Sequence, residues 1–101
     1  MATTLTINYS VNGVEKNLIL TEITRCSEDF KSEYVSLNIS CNDIVENSIL
    51  GELMNSIISD IIFIEDSETT TFTNYTRLYN INRSYKGEGS SLTFNLREYF
   101  N

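Results

Sequence analysis

Histidine, proline and tryptophan are missing from the chain, glycine occurs four times and cysteine twice. Without histidine there is no imidazole general base and no imidazole metal ligand, and a serine nucleophile would have no partner. Cys26 and Cys41 lie fifteen positions apart with no Cys-x-x-Cys pair, so a zinc site would be short of ligands. Free, half-buried thiols are expected instead. No glycine pattern suits a phosphate; Gly87 and Gly89 fall in a hairpin loop, not at a helix start. The longest unbroken apolar run, Ile61 to Ile64, is far below a membrane span. Met1 to Ser10 has neither a basic nor an apolar leader segment, so a soluble protein made in a cytosol is expected.

What is present is enough for a folded chain. With 101 residues, 41% of them hydrophobic and 11% aromatic, residues 1–101 are expected to form a single domain around one core. Seven basic side chains stand against fourteen acidic ones, for a net charge of −7, so direct binding to nucleic acid is not expected. The charge is uneven. Residues 1–71 carry three basic and twelve acidic groups, whereas residues 72–101 carry four basic and two acidic. Such asymmetry can orient one subunit head to tail against another. Asn, Ile and Ser occur twelve times each and Thr eleven, a usage that suggests the low-GC codons of a bacterium or its phage.

Leu5, Ile7, Tyr9 and Val11 alternate with polar residues, and Asn12-Gly13 follows, the dipeptide of a type I′ hairpin turn. A return strand over Val14 to Thr24 and a polar connection through Ser27, Glu28, Asp29 and Lys31 are expected. A third strand then covers Tyr34 to Cys41. Ile44, Val45, Ile49, Leu50, Leu53, Met54, Ile57, Ile58 and Ile61 recur at helical spacing, which predicts one amphipathic helix over about 43–59 behind an Asn42-Asp43 cap. Ile61 to Glu65 reads as a short strand, and Asp66 to Thr70 as a turn. Thr71 to Lys86 reads as one long β-prone stretch with a bulge or bend between Phe72 and Tyr75 that lets both face inward, followed by a Gly87–Ser90 loop and a last strand through Leu92, Phe94 and Leu96. The fold class expected is α+β: a bent antiparallel sheet, or a two-layer β structure, of about six strands with one helix packed on it.

Carboxylates are the only catalytic currency in quantity. Glu65, Asp66 and Glu68, and likewise Glu28 and Asp29, lie in segments expected to be solvated, and neither cluster has calcium-loop spacing. No enzyme activity, cofactor or metal is therefore expected. Tyr75, Arg77, Tyr79, Arg83 and Tyr85 are of one parity along the long strand and are the interface candidates, because Tyr and Arg dominate protein contact hot spots. Two other readings stay open: tyrosines partly in the core with arginines satisfying carboxylates across the sheet, or a stacking platform for nucleic acid.

The run Ile61-Ile62-Phe63-Ile64-Glu65-Asp66-Ser67, then Phe72-Thr73-Asn74-Tyr75-Thr76-Arg77-Leu78-Tyr79-Asn80-Ile81, the glycine loop, and Ser91-Leu92-Thr93-Phe94-Asn95-Leu96 resemble small tail structural proteins of tailed bacteriophages. The resemblance covers about residues 57–97. It implies a noncatalytic virion component of the tail or baseplate region, made in the host bacterial cytoplasm. Such a component would assemble as a homo-oligomer with itself and other virion proteins, away from any membrane. A second expectation is a small acidic phage inhibitor of a host defence ribonucleoprotein, presenting Glu22, Glu28, Asp29, Glu65, Asp66 and Glu68 in imitation of nucleic acid.

Overall fold

A computed structural model describes residues 3–87 and 89–100. Strands β1 (Thr3–Val11) and β2 (Val14–Leu20) form the expected hairpin, with Asn12 at φ 54° and Gly13 at φ 79° as a two-residue type I′ turn requires. Leu5, Ile7 and Tyr9 are buried, and Thr4, Thr6 and Asn8 face outward.

The return strand is shorter than expected. The Thr21 and Glu22 amides both donate to the Asp43 carboxylate, at 2.9 Å each, and this corner carries the chain out of the first sheet. Ser27, Glu28 and Asp29 are therefore not a connection but lie in β3 (Ile23–Phe30), the edge of a second sheet beside β4 (Tyr34–Cys41). An edge strand with one partner and much exposed surface has loop-like composition.

Helix α1 covers only Asn47–Met54. Asp43 does not cap it, because its carboxylate is committed to the corner. The helix ends where the buried Ser56 hydroxyl donates to the Leu53 carbonyl at 2.8 Å. Ile57 and Ile58, counted above as helical, open β5 (Ile57–Glu65) and pair with Ser10 and Tyr9. Their β-branched side chains suit a pleated strand better than a last helical turn.

Strand β6 (Glu68–Phe72) follows a two-residue turn with Asp66 at φ 58°, and Thr73 to Arg77 then cross to the second sheet. Thr71 to Lys86 is thus two strands, β6 and β7 (Leu78–Lys86). Phe72 and Tyr75 do pack together, ring centroids 6.1 Å apart, because the chain bends between them at the start of this crossover. The bulge lies at Tyr79, between the pairs Leu78–Leu96 and Asn80–Asn95. Strand β8 (Gly89–Tyr99) completes the fold. Glu88, in the expected glycine loop, lies outside the described residues.

Among the described residues there are eight strands, more than the six or so expected, in two antiparallel sheets ordered β2-β1-β5-β6 and β3-β4-β8-β7. The class is the expected one, a two-layer antiparallel β structure with one helix. The inner faces meet in a single apolar cluster that includes Leu5, Ile7, Leu37, Ile39, Phe94 and Leu96, joined by Leu50 and Leu53 of the helix.

Candidate interaction surfaces

The five Tyr and Arg candidates do not form one exposed stripe. Tyr75 sits in the crossover, its side chain buried and its hydroxyl donating to Glu28 Oε2 at 2.5 Å. Burial, and after it the bond to Glu28, pushes its phenol well above the usual value of 10. Arg83 reaches back to the start of α1, donating from Nη1 to Asn47 Oδ1 at 2.8 Å and from Nη2 to the Val45 carbonyl. Its role is to hold helix to strand. Tyr85, 75% exposed, and Ile44, 94% exposed, line a groove of about 790 Å³ together with Glu22, Asn42 and Ser91.

Arg77 and Tyr79 are brought together, and with residues the sequence reading missed. The Arg97 guanidinium lies 3.6 Å from the centroid of the Tyr79 ring and 4.3 Å from that of Tyr34, and donates to the Tyr99 hydroxyl at 3.3 Å. The signal for this cluster was weak: Arg97 and Tyr99 share a parity with Thr93 and Asn95 on the last strand, opposite to its core residues.

The acidic candidates are scattered. Glu22 is at the β2–β3 corner, Glu28 is engaged by Tyr75, and Asp29 pairs with Lys31 at 3.1 Å. Glu65, Asp66 and Glu68 stand together at the β5–β6 tip, all exposed. Glu28 and Glu65 both lie close enough to Cys26 to reinforce burial in pushing its thiol up to about 11. Cys26 is free, as is the buried Cys41, whose thiol burial also pushes up to about 11. Cys26 pairs with Ile39 while Cys41 pairs with Ile23. That diagonal placement separates their Cα atoms by about 7–8 Å, too far for a disulfide.

A further surface is the outer face of the first sheet. Register aligns Ile19, Thr6, Ile62 and Thr71 in one row across all four strands, and Thr4, Ile64 and Thr69 in the next. Ile19 is 56% exposed and Ile64 36%. Neither row contains a charge; Asp60 on one side accepts from Asn8 Nδ2 at 2.7 Å, and on the other side the exposed Glu65 and Glu68 adjoin Ile64 and Thr69 at the hairpin tip. The unbroken run Ile61-Ile62-Phe63-Ile64 was the sequence signal for this face, since a strand apolar at every position buries only half its side chains when one face is covered.

Among the described residues no three of His, Cys, Asp and Glu converge as metal ligands, and no helix is long and apolar enough to cross a membrane. Comparison with family models, with curated proteins and with solved structures finds no match to this chain.

Proposed function

We propose that the protein is a noncatalytic structural component of a phage virion, in the tail or baseplate region, that assembles with copies of itself. The observation carrying this reading is the uncovered Ile/Thr face of the first sheet. A molecule of net charge −7 repels its own copies, and contact is cheapest where no charge must be desolvated. The two rows offer such a place, with the isoleucine column of β5 standing between threonine columns on β1 and β6. Full burial of an isoleucine is worth about 1.5–3 kcal/mol, so covering several half-exposed ones supports a reversible association. The resemblance of residues 57–97 to tail proteins supplies the setting.

Light scattering after size exclusion tests it. The wild type is expected at a multiple of 11.6 kDa, and the Ile19→Lys/Ile64→Lys variant at 11.6 kDa with an unchanged circular dichroism spectrum. A wild type that stays at 11.6 kDa over a wide concentration range, at low and high salt, would overturn the reading.

A further inference from the structure

The crossover after β6 and the end of β8 border a groove of about 330 Å³ lined by Arg77, Tyr79, Arg97, Glu98 and Tyr99 among others. Its three charged side chains leave a net +1, on a molecule whose total is −7. Among the described residues the ion pairs are Lys16–Glu52 and Lys31–Asp29, so neither groove arginine has a carboxylate within 4.0 Å. Arg97 is held in place between the Tyr34 and Tyr79 rings and uses one side-chain hydrogen bond, to Tyr99. A guanidinium has five N–H donors, so most of its capacity for a planar acidic group is unspent. An unpaired Arg97 held between two rings, with the exposed and unpaired Arg77 lining the same groove on a strongly acidic molecule, suits an anionic occupant.

The same molecule carries an acidic element with the opposite deficiency. At the β5–β6 tip the two-residue turn sets Glu65 directly across from Glu68, with Asp66 between them, and none of the three has a basic partner among the described residues. Like charges directly opposite in a ladder destabilise it. A cationic partner relieves that repulsion, and Thr69 to Thr71 give the hairpin a small-residue edge that lets its end approach a groove.

We infer that the Arg77/Arg97 groove of one copy receives the Glu65–Glu68 hairpin tip of a second copy. The contact is heterologous, tip into groove, and its tip adjoins the Ile/Thr face, since Glu65 follows Ile64 and Glu68 precedes Thr69. It rests on the assembly reading above and names a second contact within it. A heterologous contact of this kind closes into a ring or extends as a filament, so it carries assembly beyond a dimer.

Charge reversal and mixing test the pairing. Arg77→Glu alone and Glu65→Lys/Glu68→Lys alone are each expected to weaken self-association at least tenfold in sedimentation velocity. An equimolar mixture of the two is expected to restore it, because each tip then finds a groove of opposite charge. All three positions are exposed, and the neutral versions Arg77→Gln and Glu65→Gln/Glu68→Gln, expected to weaken association less, guard against a folding artefact. Variants that associate like the wild type, or a mixture that fails to recover, would overturn the pairing and leave the assembly reading standing. A wild type that is monomeric at every concentration would overturn both.

Discussion

Tyr75 shows how a single side chain can be both core and polar anchor. Its ring fills space beside Phe72, and its hydroxyl finds the Glu28 carboxylate at 2.5 Å, so a buried phenol is not left without a partner. Because burial and Glu28 raise its pKa above 10, the folded state holds that proton more tightly than the unfolded chain does. The stabilisation is whole below pH 10 and is lost as pH rises beyond it. Tyr75→Phe is expected to cost about 1 kcal/mol at neutral pH, since Glu28 can turn back to water. It should also make stability fall less steeply above pH 10, with Cys26 and Cys41, raised from 9.0 to about 11, still contributing to the alkaline loss. Urea midpoints across the alkaline range decide this: a phenylalanine variant with the wild-type slope would show that the phenol is not coupled to folding. Parity placed Tyr75 on a strand face with Tyr79 because a crossover of five residues, Thr73 to Arg77, leaves no mark on a stretch rich in Thr and Tyr. Its core role was the alternative reading, and the glutamate that meets its hydroxyl comes from a strand far away in sequence.

At the level of elements, the chain states its hairpins more plainly than its boundaries. Asn12-Gly13 and the alternation through β1, β4 and β8 were legible because local turn chemistry and a period of two determine them. The helix was overextended because Ile57, Ile58 and Ile61 satisfy helical spacing as well as strand pairing with β1, and only the tertiary partner chooses. The corner at Thr21-Glu22 was invisible for the same reason, depending on a carboxylate twenty-one residues or more away. What fixes the short helix is also nonlocal: Glu46 at its start makes no side-chain cap, and Arg83 of β7 bridges Val45 and Asn47 instead. Arg83→Ala is therefore expected to cost about 1–2 kcal/mol, and Arg83→Lys should recover little, since one ammonium cannot reproduce the two-pronged contact. Tyr85→Ala, on the same strand but exposed, should stay within about 0.5 kcal/mol of the wild type. Chemical denaturation of the three variants separates these roles, and an Arg83→Ala midpoint equal to that of the wild type would remove the arginine from the fold's support.

The whole molecule carries fourteen acidic groups, two ion pairs among its described residues, and two surfaces of different physics. Salt acts on those surfaces in opposite directions. Screening the net charge of −7 reduces repulsion between copies, which favours contact through the uncharged Ile/Thr face. The same screening weakens attraction between the arginine groove and the glutamate tip, which lies at the exposed surface where an ion pair is worth about 0–1 kcal/mol. At low salt the groove contact contributes, and Arg77→Glu should give a smaller average mass than the wild type. As salt rises the wild type loses that contribution and both proteins come to depend on the sheet face alone. Their masses by light scattering are therefore expected to converge at high salt, whereas Ile19→Lys/Ile64→Lys should remain below both throughout. A gap between wild type and Arg77→Glu that persists undiminished into high salt would mean that Arg77 acts through packing and not through charge, and the groove would need an apolar occupant instead of an acidic one.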